Sequence, residues 1–291
     1  MSVAVDSVGG APRAVWRRGI LASRKGRWGF GILTALALIA LFAPVLAPHD
    51  PNAIDASRIL ARPDLAHPFG SDALGRDVLS RVIFAYRVSL GVAVGSTLLA
   101  FVVGVPLGLY AGYHGGWVDT AIMRPIDLVL ALPAMLLAVA LIAIIGPGSN
   151  VALLAIAVIY LPILARVVRS STLVVTAQTY IEAARARGTR SRTIIARHVF
   201  PNAIGPAIVQ ATILMGFALQ IEAALSFLGL GAQPPTSSLG VMLADGRDVL
   251  TQAPWVEVFP GLAIAITVLA FIFLGDGLRA RLDPTGVTHE R

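Results

Sequence analysis

Apolar residues along this chain occur in long uninterrupted runs. Four runs lack Asp, Glu, Lys and Arg over about the 20 residues that a helix needs to cross a bilayer. They are Gly29–Ala47, Val88–Tyr113, Val199–Ile221 and Val258–Gly275. A fifth run, Leu128–Ala165, is too long for one helix, and the sequence Gly-Pro-Gly-Ser-Asn at 146–150 predicts a hairpin turn within it. The pattern predicts an all-α membrane protein with six transmembrane helices and both termini on one side.

Composition agrees with a membrane protein and excludes several other classes. Of the 291 residues, 56% are hydrophobic and 13% are charged. The mean hydropathy of +0.79 lies outside the range of soluble domains. The chain has no cysteine, which excludes disulfides, iron–sulfur clusters and thiolate zinc sites. The net charge of +7 does not indicate nucleic acid as a partner, because the arginines flank apolar runs, as membrane topology requires.

Lys and Arg are unequally divided between the two sides of the predicted bundle. The side with both termini and residues 166–198 carries 17 of them, and the other side carries six. The positive-inside rule therefore predicts that both termini are cytoplasmic. A cleaved signal peptide is the alternative for the first run. The 28-residue leader, the length of the run and the position of Pro48 favour a retained span.

These features divide the chain into four parts. Residues 1–28 form a cytoplasmic N-terminal tail, and residues 29–86 hold the first transmembrane helix and an external loop with an amphipathic helix. Residues 87–278 form a core of five transmembrane helices, and residues 279–291 form a cytoplasmic C-terminal tail. We expect a multi-pass membrane protein, in contact with membrane lipid.

The predicted external loop contains a segment with helical periodicity. Ser71 is a suitable N-cap for it. Apolar residues then recur every four positions, at Leu74, Val78, Val82 and Tyr86. The charged residues off this stripe are Asp72, Arg76, Asp77 and Arg81, the last two spaced to pair across one turn. The pattern predicts an amphipathic helix on the outer membrane surface or, as the alternative, a helix packed against the spans.

Few polar or conformationally special residues stand inside the predicted spans. Gly104, Gly108 and Gly112 have the spacing that lets a second helix approach closely. Glu222 and its neighbour Gln220 stand at the end of the fifth span. A carboxylate is costly at membrane depth. Glu222 therefore either lines a translocation path together with Gln220 or emerges at the outer interface.

Motifs of enzymatic sites are missing from the sequence. The single lysine, Lys25, is followed by glycine, so no phosphate-binding loop of the Walker A type exists. The five histidines lack the i, i+4 spacing of a metalloprotease helix, and no Gly-x-Ser-x-Gly elbow occurs. We therefore expect a chain that is not an enzyme and that holds no cofactor of its own.

One connection between apolar runs is far longer than a turn requires. The stretch "TYIEAARARGTRSRTIIARHVFPN", residues 179–202, carries five arginines. Helix formers fill Tyr180–Arg187, and Gly188 is suited to a left-handed helix cap. A second helix is predicted from about Thr189 towards Pro201. The result is a cytoplasmic helix–glycine–helix, and the alternative is a basic run that faces lipid headgroups.

This stretch resembles the Glu-Ala-Ala signature of permeases of ATP-binding-cassette (ABC) importers. In that signature Glu-Ala-Ala is followed after three residues by Gly, and after nine more by Ile, one residue and Leu-Pro. The residues in register are Glu182, Ala183, Ala184, Gly188 and Pro201. The sequence departs from the signature at His198 and Phe200. The peptide branch of the family commonly has Arg-His and Pro-Asn here, as "RHVFPN" does.

Three further stretches are similar to the dipeptide, oligopeptide and nickel branch, in the order of its C-type subunit. They are "HPFGSDALGRDVLSRVIFAYRVSL", "AGYHGGWVDTAIMRPIDLVLALP" and "EAALSFLGLGAQPPTSSLGVML". The resemblance covers roughly residues 29–284. It implies the type I ABC importer permease fold, and residues 178–202, here named the Glu-Ala-Ala loop, would be the element that docks on an ATPase.

The resemblance also implies partners and a location. A second, homologous permease would complete the translocation path, ABC ATPase subunits would bind ATP and Mg²⁺, and an external solute-binding protein would deliver the cargo. The membrane would be the bacterial inner membrane. Peptides are the expected cargo, and nickel or another small solute is the alternative. A secondary transporter driven by an ion gradient through Glu222 is a different class of function, as is a purely structural membrane subunit.

Overall fold

The computed structural model describes residues 23–282, with side chains described through residue 280. Most of each predicted tail, 1–28 and 279–291, lies outside the described residues. Within them the regular structure is helical, and β pairing is limited there to one isolated bridge between Ser71 and Asp77. The prediction of an all-α fold is confirmed.

Twelve α-helices occur in this part of the chain. They are α1 (Arg24–Leu41), α2 (Ala43–Leu46), α3 (Val78–His114), α4 (Gly116–Leu130), α5 (Ala134–Ile145), α6 (Ser149–Thr176), α7 (Thr179–Ala186), α8 (Ser191–Ile194), α9 (Phe200–Ala203), α10 (Gly205–Phe227), α11 (Leu239–Gly246) and α12 (Trp255–Leu282). Single turns of 3₁₀-helix lie at Ala56–Arg58 and Arg247–Val249, and a turn of π-helix lies at Ile195–Val199.

Four of these helices are long and apolar enough to cross a membrane. They are α3, α6, α10 and the Trp255–Ala280 part of α12, and they correspond to the predicted second, fourth, fifth and sixth spans. The helices α4 and α5 meet the same criterion only as a pair. The predicted first span corresponds to α1, whose first turn carries Arg24, Lys25 and Arg27. Length and composition thus support four or five spans, and the total of six stays a prediction.

The third predicted span differs from the structure at its start. The apolar run begins at Leu128, but α4 ends at Leu130 and α5 begins at Ala134, with a bend of 91° between them. Pro133 accounts for the break, because it has no N–H to continue the helix and disfavours helical backbone at Leu132. The element is therefore a bent helix pair rather than one straight span.

The predicted amphipathic helix before the second span is not a separate element. The helix begins at Val78 and runs on as α3, and its N-cap is Asp77, whose carboxylate accepts the Ser80 N–H at 2.8 Å. Ser71 is therefore not the cap: its hydroxyl accepts the N–H of Ala61 at 2.9 Å. Residues 70–77 are not helical, since Ser71 and Asp77 form the β-bridge with a turn between them, and Leu74 is 45% exposed.

The rest of the predicted stripe is buried against the protein. Val78, Val82 and Tyr86 are buried, so the alternative of a helix packed on the spans is the correct one. Three of the charged residues off the stripe, Asp72, Asp77 and Arg81, are buried as well. Arg81 pairs with Asp72 rather than with Asp77.

The glycine spacing in α3 marks its packing against α6, as predicted. A Cβ at Gly104 would lie 2.9 Å from the carbonyl oxygen of Leu161, and one at Gly112 would lie 2.9 Å from that of Arg169. A Cβ at Gly108 would overlap the carbonyl oxygen of Ala165. The two backbones approach closely only because these positions have no side chain.

The helix α3 separates two distant regions of the molecule. Its 37 residues extend over about 55 Å. At the Val78 end it packs against α11 and α12 through a cluster that includes Met242 and Val256. At the His114 end a second cluster joins it to α6 and to the Glu-Ala-Ala loop through Val168 and Ile181.

Candidate functional site

The first half of the Glu-Ala-Ala loop is a short helix closed by a glycine. Gly188 has φ +74°, the left-handed conformation predicted for it. Its N–H donates to the carbonyl of Arg185 at 2.9 Å, and the N–H of Thr189 donates to that of Ala184 at 3.1 Å. This pair of bonds is the Schellman motif, which satisfies the last carbonyls of α7. The next helix begins at Ser191, slightly later than predicted, because Arg190 is extended.

The two alanines of the signature lie in different environments. Ala184 is 2% exposed and packs with Ile181 and Ile194 inside the chain. Glu182 and Ala183 are exposed. The side chain of Ala184 therefore packs α7 onto α8, and Glu182 and Ala183 belong to the accessible surface of α7.

The helix pair is attached firmly to the His114 end of α3. Val105 and Leu109 of α3 belong to the apolar cluster that holds Ile181. The guanidinium of Arg185 lies over the ring of Tyr113, 5.0 Å from its centre, which adds a cation–π contact. The helix pair therefore contacts α3 through packed side chains.

The second half of the loop changes helix geometry before the next span. A π-helical turn covers Ile195–Val199 and is followed by α9, in which Pro201 is exposed. Proline cannot donate a backbone N–H, so the helical hydrogen-bond ladder is interrupted at Pro201. The side-chain amide of Asn202 donates to the carbonyl of His198 at 2.6 Å. The Asn202 side chain thus bonds the π-helical turn that precedes α9.

The loop presents a basic surface. Its five arginines are exposed, and none of them forms an ion pair with another described residue. They are Arg185, Arg187, Arg190, Arg192 and Arg197. Glu182 lies on the same surface and has no ion-pair partner among the described residues either. Such a surface suits an acidic partner surface or anionic headgroups.

Two ion pairs, which sequence reasoning did not identify, hold α4 across α6. Arg169 donates from Nε and from an Nη atom to the two carboxylate oxygens of Asp119, both at 2.5 Å. Arg166 bonds Asp127 at 2.6 Å. Fork-shaped pairs of this kind fix orientation as well as distance. The only signal in the sequence was that all four residues border apolar runs, which does not specify the pairing.

Glu222 lies inside α10 and is 1% exposed, so it does not emerge at an interface. Its Oε1 accepts the hydroxyl of Ser226 at 2.7 Å, and no partner reaches Oε2 from the described residues. The Ser226 oxygen in turn accepts the N–H of Ala232 at 3.2 Å. Gln220 is exposed on the same helix. The structure thus places Gln220 on the surface and ties Glu222 to the segment after α10.

At the Val78 end, an ionic cluster that is buried at Asp72 and Arg81 and exposed at Asp245 joins the polar segment before α3 to α11. Asp72 accepts from both Arg76, at 2.7 Å, and Arg81. Both arginines also contact Asp245, at 3.2 Å and 3.1 Å, and Arg81 reaches Ser237 at 3.2 Å. Sequence reasoning missed this cluster because its members are about 160 positions apart.

Two carboxylates in the same polar segment have shifted pKa values. The Ser57 hydroxyl and N–H lower the pKa of Asp55. The backbone N–H of His67, followed by the Arg58 guanidinium, lowers the pKa of Asp64. These bonds favour the ionised carboxylates, so their contribution is fully present above the usual carboxyl pKa and is lost as the pH falls through the lowered pKa values.

Comparisons with known proteins agree with this architecture. Residues 104–285 match the family described as "Binding-protein-dependent transport system inner membrane component". Residues 13–63 match the "N-terminal TM domain of oligopeptide transport permease C".

Two curated relatives are similar over nearly the whole chain. The dipeptide transport system permease protein DppC of Alkalihalophilus pseudofirmus is 43% identical, over 92% of this chain and 90% of that protein. The glutathione transport system permease protein GsiD of Pectobacterium atrosepticum is 43% identical, over 94% of this chain and 90% of that protein.

A solved structure shares the fold. It is an inward-facing conformation of the MetNI methionine ABC transporter, with a TM-score of 0.57 and 23% identity over 70% of this chain and 96% of that chain. The helix–glycine–helix loop, the multi-pass bundle and the matched family agree with one another. The chain therefore belongs to the inner-membrane permeases of binding-protein-dependent ABC importers.

Proposed function

We propose that this chain is one of two permease subunits of an ATP-driven importer for small peptides, and that its Glu-Ala-Ala loop transmits the movement of the ATPase. The observation that carries the proposal is the exposed Glu182–Ala183 surface on a helix pair whose other side is packed onto α3. The relatives named for dipeptide and glutathione transport support a peptide cargo. In this proposal a nickel or other small-solute cargo is the less favoured alternative.

The loop has the features of a rigid lever. The Gly188 cap fixes the turn between α7 and α8, and Ala184 packs them together. On the accessible side, Ala183 has a small side chain that allows close approach of a partner, and Glu182 offers a charged contact, which is the stronger kind of hydrogen bond. Pro201 and Asn202 then direct the movement into α10.

The other partners follow from the same proposal. A homologous permease completes the path, ABC ATPase subunits bind ATP and Mg²⁺ and meet the Glu-Ala-Ala loop in the cytoplasm, and a solute-binding protein delivers the cargo to the Val78 end. Both termini are then cytoplasmic, and the exposed Gln220 lies towards the path. Glu222 is buried in this chain and acts on the path through the segment that follows α10.

The docking role is tested in the complete transporter with Glu182→Lys and Gly188→Val, singly and combined. The first reverses the contact charge. The second places a β-branched residue at φ +74°, which costs about 1 kcal/mol or more. No atom of the described residues lies within 4 Å of a Cβ at Gly188, so the effect of the substitution is conformational rather than a clash. Both variants should insert normally and lose transport and substrate-stimulated ATP hydrolysis.

Gly188→Asn is the matched control, because asparagine tolerates the left-handed conformation. It should retain most of the activity. The measurements are copurification of the ATPase and peptide uptake in reconstituted complex. Wild-type values for both in the Glu182→Lys, Gly188→Val double variant would contradict the docking role.

A further inference from the structure

Two imidazoles and a carboxylate meet at the Val78 end of α3, far from the Glu-Ala-Ala loop. His49 follows α2, His67 lies in the polar segment between α2 and α3, and Asp77 is the N-cap of α3. One ligand atom from each of the three residues lies within 4.8 Å of the others. No role in the proposed transport cycle uses these residues.

Both rings direct a nitrogen to the same carboxylate. The Nδ1 of His67 lies 2.9 Å from Oδ1 of Asp77, and the Nδ1 of His49 lies 3.8 Å from Oδ2. The two rings are stacked, with centres 4.3 Å apart and planes inclined by 21°. The side chains of Asp77 and His67 are 1% and 13% exposed, whereas that of His49 is 40% exposed.

The backbone around the cluster is held in place. The Oδ2 atom of Asp77 accepts the N–H of Ser80 at 2.8 Å, and the Ser80 hydroxyl accepts the N–H of His49 at 3.1 Å. On the other side, the N–H of His67 donates to Asp64 at 2.6 Å. Three separate segments of the chain are thus fixed around one point, and only side-chain rotations are needed to rearrange the ligand atoms.

We propose that His49, His67 and Asp77 bind a divalent transition-metal cation of the Zn²⁺, Co²⁺ or Ni²⁺ class. Imidazole nitrogens with a carboxylate oxygen suit these ions, whereas Mg²⁺ and Ca²⁺ prefer oxygen ligands alone. Ligand distances of about 2.0–2.2 Å require the two nitrogen lone pairs to converge. In stacked rings they are nearly parallel, so the more exposed His49 ring turns about its side-chain bonds on binding.

The bound cation would clamp the segment after α2 to the first turn of α3. Three protein ligands leave further coordination positions for water, as in open zinc sites. The proposed metal site does not depend on the transported solute or on the Glu-Ala-Ala loop. Its test can therefore fail without contradicting the proposed function, and the reverse also holds. The competing explanation is a purely structural arrangement, in which His67 hydrogen-bonds Asp77 and His49 contributes only its stacked ring.

The variant His49→Phe separates these two explanations. Phenylalanine keeps an aromatic ring to stack on His67 but removes the metal ligand. His67→Gln removes the second ligand, and His114→Gln is the control, because His114 lies exposed at the opposite end of α3. All are made in the full transporter, purified through a tag without histidine and treated with a chelator. The probe is Co²⁺, followed by its visible absorption and by metal analysis after dialysis.

After dialysis, we expect the wild type and His114→Gln to retain one equivalent of Co²⁺ more than His49→Phe does. In titrations, the affinity of the site for Co²⁺ should fall about tenfold or more in His49→Phe and in His67→Gln. Zn²⁺ should raise the melting temperature of the wild type and not that of His49→Phe. Equal Co²⁺ binding in all four proteins, or no binding at about 100 μM free Co²⁺, would overturn the proposal. A Zn²⁺-independent melting temperature in the wild type would do the same.

Discussion

At the scale of single residues, Glu222 shows how a carboxylate is accommodated inside an apolar helix. Its contact with Ser226 extends to the N–H of Ala232, so one side chain connects α10 to the segment that follows it. Gly231 and Gly240 contribute to the same packing. A Cβ at Gly231 would overlap Ser226, and a Cβ at Gly240 would overlap the Ala223 carbonyl.

The contact of Glu222 predicts different outcomes for two substitutions. Glu222→Gln keeps an oxygen that accepts the Ser226 hydroxyl and should leave the melting temperature of the complex close to that of the wild type. Glu222→Ala leaves the buried hydroxyl without its acceptor and should cost about 1–3 kcal/mol. Thermal unfolding of the purified transporter measures both, and Gln220→Ala is the exposed control.

Transport by the same variants tests whether Glu222 acts on the path. Altered uptake by Glu222→Gln at unchanged stability would support that role, whereas wild-type uptake would show that the charge is dispensable. An Ala variant as stable as the Gln variant would contradict the structural contact.

Residue conformations were predictable where they depend on near neighbours. The left-handed Gly188 followed from its position after a run of helix formers, since a helix end is a local event. The burial of Ala184, in contrast to its exposed neighbour Ala183, depends on Ile181 and Ile194 and on how α7 meets α8. The relative orientation of α7 and α8 cannot be inferred from a single sequence.

At the scale of helices, the contact between α3 and α6 rests on three positions without side chains. Gly108 lies against the Ala165 carbonyl, and Gly104 and Gly112 lie against neighbouring turns. Gly91 belongs to the same helix, but within residues 23–282 no atom lies less than 4 Å from where its Cβ would be. The two kinds of glycine in one helix make a matched comparison.

We expect Gly108→Ala to destabilise the protein by about 1–3 kcal/mol, because the added methyl forces the two backbones apart. Gly91→Ala should have little effect or a small stabilising one, since alanine is the better helix former. The melting temperatures and expression levels of the purified complexes measure the difference. Equal values for the two variants would contradict the close packing of α3 on α6.

Helix existence was predictable from the apolar runs, and helix boundaries were not. The stripe Val78, Val82 and Tyr86 was identified correctly, but its start was assigned to Ser71 instead of Asp77 because both residues are good caps. The bend at Pro133 divides a run that reads as continuous by hydropathy alone. Boundaries depend on single backbone hydrogen bonds, which hydropathy does not measure.

At the scale of the whole molecule, the predicted orientation rests on the uneven distribution of Lys and Arg and is open to a direct test. The natural chain has no cysteine, so single cysteines can be labelled without interference. Ser191 and Thr236 are exposed and lie in segments predicted to be on opposite sides. Ser237 would be a poor choice, because it is buried and bonded to Arg81.

In intact cells, a membrane-impermeant maleimide should label Thr236→Cys and leave Ser191→Cys unlabelled. After permeabilisation both should be labelled, which controls for reactivity. Labelling of Ser191→Cys from outside intact cells would contradict the proposed topology, in which the positive-inside rule predicts a cytoplasmic position for this arginine-rich loop.

The ionic cluster at the Val78 end also has a consequence for how the chain is made. Arg81 can meet Asp72 soon after synthesis, but Asp245 lies 164 positions further on. At about 5–20 residues per second, translation needs roughly 8–30 s to supply that second carboxylate. During this interval Arg76 and Arg81 share one negative charge. The charge of this cluster is therefore balanced only once translation has reached the last fifth of the chain. A chain truncated ahead of α11 would keep two arginines around a single carboxylate and would reach cellular quality control in that state.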